Sequence, residues 1–218
     1  MPYSREHKSR TRQRVVAAAL RLFSERGYAQ VTIDEVMGLA GLTRGAFYAH
    51  FNSKEHLYAE AIDHGMRTSA IAALTSGPKG FKTLKRIVDS YLSRGHVDGK
   101  MAPCPLAFFA TDVGVRDREV RHAYTTAFAA LVRAISSHTS RSKAEGRALA
   151  MAVLMVGGVA VGTAVTDTLL KDDILAACRR AIMDLVAPIR TQAASRSVAR
   201  LSPASRKRRL RITGLVDD

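Results

Sequence analysis

Residues 31–57 read VTIDEVMGLAGLTRGAFYAHFNSKEHL, and they gather groups suited to holding a polyanion. Arg44, Tyr48, His50 and Lys54 bring a guanidinium, a phenol, an imidazole and an ammonium, all donors for phosphate oxygens or base edges. Thr32 and Thr43 add hydroxyls. Gly45 stands where a helix is expected, although glycine costs about 1 kcal/mol against alanine there; close approach of the backbone to a phosphate or base is a reason to keep it. This chemistry is recognition rather than reaction. None of the seven histidines, His96, His122 and His138 included, has a metal-ligand partner at the expected spacing. With no nucleophile motif and no phosphate-cradling glycine loop, no enzyme activity, cofactor or metal is expected.

The elements that must position these groups are also legible. Thr32 followed by Glu35 is a capping box, with Val31 and Val36 spaced as its hydrophobic staple. A helix is therefore predicted from Ile33, ended by Gly41 as a left-handed terminator. Thr43 is the next N-cap, with Leu42 and Phe47 in staple positions, and a second short helix is predicted to run to about Phe51. Ser53 caps a third, with Lys54 in its first turn, where free N–H groups and an ammonium suit a phosphate. Two short helices joined by a tight glycine-containing turn make a helix-turn-helix.

The segments TIDEV, AGLTRG, FYAHF and SKEHL occur here in order, preceded by RVVAAALRLFSERGYAQVT. Together they resemble the DNA-binding domain of TetR-family regulators over roughly residues 10–60. The resemblance implies an all-α protein: an N-terminal three-helix helix-turn-helix domain (1–55, with a basic arm), then a helical ligand-binding and dimerisation domain (56–192). It places Thr43, Arg44, Gly45, Tyr48 and His50 toward DNA, with Tyr48, His50 and Lys54 gripping phosphates and Thr32 offering its N–H or hydroxyl to one. Phe47 and Phe51 are read as core. Ala49, where many relatives carry a larger side chain, leaves base reading more to Arg44. The implied partners are double-stranded operator DNA, a small-molecule inducer and a second copy of the chain. The expected function is a ligand-released repressor, with a non-specific or architectural DNA binder without an inducer, or a membrane-anchored protein, as the alternatives.

Composition agrees with a polyanionic partner. The 218 residues carry 34 Lys plus Arg against 19 Asp plus Glu, a net charge of +15. The stretch from Arg196 to Arg211 holds seven bases and no acid, so residues 193–218 read as a disordered basic tail. Arg5, Lys8, Arg10, Arg12 and Arg14 form the N-terminal arm, either a DNA-following segment or a solubilising terminus. No signal-peptide pattern follows that arm, and the two cysteines form no cluster, so a cytoplasmic location is expected. The apolar run 148–165 approaches the length of a membrane span, but bases flank it on both sides; it reads as a buried interface helix.

The second half is predicted helical, ending in a pair at 143–170 and 173–190 suited to a dimer interface. Gly157, Gly158 and Gly162 would let helices approach, across a two-fold axis or inside one subunit. Tyr91, Phe108, Tyr124, Phe128, Met151 and Met155 are the candidates for an apolar ligand pocket, with plain core as the competing reading. Cys104 lies between Pro103 and Pro105, a potential N-cap whose thiolate would be stabilised, or else a small buried hydrophobe. Cys178 reads as packing. His64 and Gly65 are expected to face solvent.

Overall fold

The computed structural model describes residues 5–72, 77–139 and 144–186. It is all-helical, with no strand among those residues. The expected basic tail and the first four residues of the chain lie outside them. Helix α1 (Arg5–Arg26) buries Val15, Val16, Ala19, Leu20 and Phe23. It stops at Gly27, whose φ of +77° suits a residue without Cβ. Helix α2 (Ile33–Leu39) begins on the complete Thr32–Glu35 capping box and ends before Gly41, φ +66°. A 3₁₀ helix (Arg44–Ala49) follows, then α3 (Lys54–Thr68), capped by Ser53.

After a short 3₁₀ turn (Ala70–Ala72) come α4 (Phe81–Tyr91), α5 (Arg94–Val97), α6 (Pro105–Phe108) and α7 (Ala110–Val113). Three long helices finish the fold: α8 (Arg118–Ser136), α9 (Ala144–Ala164) and α10 (Thr168–Val186). The last pair separates earlier than its apolar pattern predicts. The Asp167 carboxylate accepts the Leu170 N–H at 2.9 Å and starts α10 there.

Helix α3 packs against both α1 and α8, so it crosses the predicted boundary at residue 55. Gly65 marks the closest approach. A Cβ there would stand 2.8 Å from Pro105 Cδ and 3.1 Å from Leu20 Cδ1. Gly65 is buried, not solvated as its sequence context suggests, because α1 and the start of α6 converge on it. Aromatic rings extend the junction: Phe23 to Tyr58 at 4.9 Å, and Tyr58 to Phe109 at 4.8 Å.

Helix α9 buries Met151, Met155 and Val159 completely. A Cβ on Gly158 would meet Leu92 at 2.8 Å and Cys178 Sγ at 3.0 Å, and one on Gly162 would meet Val97 at 3.2 Å. Both glycines thus serve packing inside the chain, while Gly157 faces open space. The outer face of the pair exposes Leu149, Val153 and Val161 on α9 with Leu169 and Leu170 on α10. Among the described residues, Gly146–Ala164 is the one helix long and apolar enough to cross a membrane; 44% of that window is buried within the molecule.

Two glycines should respond to alanine with opposite signs. Gly65→Ala overpacks the α1–α3–α6 junction and should destabilise by about 1–3 kcal/mol. Gly38→Ala in α2 meets nothing within 4 Å and should stabilise by up to about 1 kcal/mol. Urea unfolding of both variants measures the difference.

Candidate nucleic-acid interface

The 3₁₀ helix divides its side chains cleanly. Phe47 and Phe51 are fully buried with ring centroids 5.5 Å apart. Thr43, Arg44, Gly45 and Tyr48 lie open to solvent, Tyr48 at 60% exposure with its ring edge-on to Phe47. The predicted α-helix is wound more tightly here, since Ala46 N bonds Thr43 O at 3.1 Å and His50 N bonds Phe47 O at 2.9 Å. Thr43 has the extended backbone of an N-cap, but its side chain makes no capping bond. A Cβ on Gly45 would touch nothing within 4 Å, so no internal packing requires glycine there.

Arg44 Nη1 donates to Asp34 Oδ2 at 2.6 Å, tying the 3₁₀ helix to the start of α2. Asp34 first, and then Tyr48, raise the guanidinium pKa. Glu35 is also paired: its carboxylate accepts the Thr32 N–H at 2.8 Å and Arg26 Nη1 at 2.6 Å. The Thr32 backbone bond and then Arg26 hold the Glu35 carboxyl down at about 2. The Thr32 N–H is thereby occupied within the chain, and its hydroxyl also contacts Glu35 at 2.9 Å.

His50 sits at the end of the 3₁₀ helix, partly buried, with Nδ1 lacking a hydrogen-bond partner. Burial, then Lys8 and Arg12, lower its pKa, which favours the neutral imidazole. Its carbonyl accepts from Arg12, whose guanidinium also lies 4.5 Å over the Phe51 ring and 3.4 Å from Glu60. Arg14 donates to the Ala40 carbonyl. From Arg5 the arm is therefore the first turns of α1, and Arg12 and Arg14 brace the turn-helix unit itself. Lys54 donates to Tyr28 O at 2.5 Å and its Nζ lies 4.0 Å from the Tyr28 ring centroid. Burial lowers the Lys54 pKa. Sequence reasoning missed Asp34, Arg12 and Tyr28 as organisers, because their partners lie 10, 38 and 26 residues away.

Of the proposed pocket residues, Tyr91, Cys104 and Tyr124 come together. The Tyr91 hydroxyl is buried beside the Cys104 thiol, and the Tyr124 hydroxyl donates to Leu106 O at 2.8 Å. Burial raises the Tyr124 pKa to about 12. Phe108 and Phe128 are half-buried, and Met151 and Met155 are wholly buried on α9. His96 joins this region with its ring 4.5 Å from that of Tyr91 and its Nε2 unpartnered. A groove of about 820 Å³ lies elsewhere, between α3 and α8. It has an alanine-rich floor with Leu131, and a rim of His56, Glu60, Asp63, Arg67, Glu119 and His122.

Cys104 occupies the N-cap position of α6, but it makes no side-chain capping bond and is fully buried. Desolvation outweighs the nearby Tyr91 hydroxyl and the Leu106 and Ala107 amides, and raises the thiol pKa. The geometry supports the small-hydrophobe reading over a stabilised thiolate.

A solvent-facing basic element seated on a small aromatic core, followed by a helical body, defines a helix-turn-helix protein. Residues 15–61 match the family described as bacterial regulatory proteins, tetR family. The chain is 36% identical over 92 residues to the transposon Tn10 TetC protein of Escherichia coli, covering 41% of this chain and 47% of TetC. It is 42% identical over 60 residues to the HTH-type transcriptional regulator TtgR of Pseudomonas putida, covering 28% and 29%. The matched stretch thus spans less than half the length of either relative. The fold is similar to a putative TetR-family transcriptional regulator from Rhodococcus sp., with TM-score 0.67 and 18% identity over 82% of this chain and all of that one. The chain is thus similar to the TetR family over residues 15–61, and its fold is similar to that of a TetR-family structure.

Two outcomes follow from these environments. The depressed Glu35 pKa means that its stabilisation is present above its ordinary 4.5 and is lost as pH falls toward about 2. Acid unfolding followed by circular dichroism should therefore be less steep between those values in Glu35→Gln. Iodoacetamide at neutral pH should leave Cys104 unmodified in the native protein and label it after denaturation, as read by peptide mass spectrometry.

Proposed function

We propose that the protein is a homodimeric, sequence-specific DNA-binding transcriptional regulator, a repressor released from its operator by a small molecule. The observation that carries this reading is the two-sided 3₁₀ helix. Its aromatic side is locked in the core, while Thr43, Arg44, Gly45 and Tyr48 are presented outward on a rigid base. The glycine at 45, unexplained by packing inside the chain, suits a close approach to DNA. His50 and Lys54 flank this face as phosphate contacts, His50 as a neutral donor, and the Thr32 hydroxyl lies at the start of α2 beside it. The regulator would work in the cytoplasm, where its operator is.

Dimerisation is assigned to the exposed apolar face of α9 and α10, which would form a four-helix bundle with its copy. Release requires a ligand with different affinity for the two arrangements of the heads. The α3–α8 groove suits this role, because Glu60 on its rim pairs with Arg12, which holds the His50 carbonyl. The region of Tyr91, Cys104, Phe108, Tyr124, Phe128, Met151 and Met155 is the alternative site, favoured by the unpartnered Nε2 of His96 against the Tyr91 ring.

A nuclease footprint on the DNA flanking the protein's own gene, with competitor DNA and fixed salt, tests the reading. The expected result is a discrete protected palindrome; diffuse protection removed by competitor, followed by genome-wide selection yielding no consensus, would establish a non-specific binder instead. Gly45→Ala should fold normally yet lose footprint affinity, by about tenfold or more. Val153→Glu places a charge on the exposed face of α9 and should give a folded monomer by light scattering, with the footprint lost.

A further inference from the structure

The start of α2 poses an electrostatic problem for a protein that approaches phosphates. Asp34 and Glu35 place two carboxylates in the first turn, beside the outward face of the 3₁₀ helix. Glu35 has an evident structural role, since it completes the capping box and is neutralised by Arg26. Asp34 has no capping role. Its carboxylate reaches across the turn to Arg44 Nη1 at 2.6 Å, with both side chains more than half exposed. An exposed ion pair contributes little to stability, so fold maintenance gives little reason for a carboxylate that repels the DNA backbone.

A guanidinium offers five donors in a planar fork. A bond from Nη1 to a carboxylate on α2 restricts the plane of that fork while using only one of its donors. Bidentate reading of guanine O6 and N7 requires such a fixed plane. Tyr48 lies within electrostatic reach on the same face, adding a second restraint on Arg44.

We infer that Asp34 is a specificity-determining positioning residue, which aims the Arg44 guanidinium at a guanine edge and so sets base preference without touching DNA. Asp34 exchanges affinity for discrimination: its charge opposes the backbone, while its bond fixes which base Arg44 accepts. This role rests on the DNA-binding reading above.

The test uses the full chain and randomised duplex DNA. Wild type, Arg44→Ala, Asp34→Ala and Asp34→Asn are each taken through binding selection, and their affinities measured for the wild-type consensus and for each single-base change. Arg44→Ala should lose preference at one guanine per half-site. Asp34→Ala should lose about tenfold discrimination at that same position, while binding to a scrambled duplex is unchanged or tighter. Asp34→Asn, which keeps a carbonyl acceptor for Arg44, should retain most of the discrimination. Unchanged position-by-position preference in Asp34→Ala, whatever its overall affinity, overturns the inference, as does an Arg44→Ala variant with the wild-type consensus. Discrimination lost equally in both Asp34 variants also overturns it, since charge and not aim would then be responsible. If wild type itself selects no consensus, the failure belongs to the DNA-binding reading. Matched thermal melts confirm that the surface substitutions leave the fold intact.

Discussion

Helix α3 must pack against α1 and α8 at once, and the rest of the molecule is arranged around that requirement. Its Leu57, Tyr58, Ala61 and Ile62 are buried, and the helix meets both α1 and α8. Such a helix has little exposed face to spare, so its composition is constrained where the two neighbours converge. At Gly65 there is no room for a Cβ, and the Phe23–Tyr58–Phe109 rings pack elsewhere in the same junction. Close-packed interiors transmit displacement rather than absorb it. The buried residues of the head and the body form one continuous cluster.

The second organising feature is how carboxylates are handled in a chain of net charge +15. Asp34, Glu35 and Glu60 lie on or near the reading head, and each is paired with an arginine from another element. Arg12 combines three roles, pairing with Glu60, stacking on Phe51 and holding the His50 carbonyl. Lys54 is similarly occupied by Tyr28. Much of the basic character near the head thus orients protein groups before any ligand arrives. This is preorganisation, which lowers the ordering cost of recognition.

What the sequence made legible follows from interaction range. The Thr32–Glu35 box, the Ser53 cap and the turns at Gly27 and Gly41 rest on bonds between residues within a few positions of one another, so residue type and spacing suffice to find them. The buried roles of Phe47 and Phe51 were expected from the family resemblance, with Phe47 also placed by its staple position. The Asp167 cap is equally local, yet the apolar run around it masked the break between α9 and α10. Asp34 with Arg44, Arg12 with His50 and Lys54 with Tyr28 depend on the tertiary fold and leave no periodic trace. Gly65 looked solvated because nothing in its own helix announces that Pro105 and Leu20 will meet it. Pocket and core were hard to separate for another reason: Met, Phe and Tyr line both.

The contact at Gly65 also gives the molecule a fulcrum. From Gly65 back to Lys54 is eleven residues of helix, or about 16 Å at 1.5 Å per residue. A tilt of about 10° about that point carries the reading end through about 3 Å, close to the rise of one base step along a DNA strand. On the proposed function, a movement in the body too small to disturb its packing density would be magnified, at the other end of the lever, into a misfit of a whole rung.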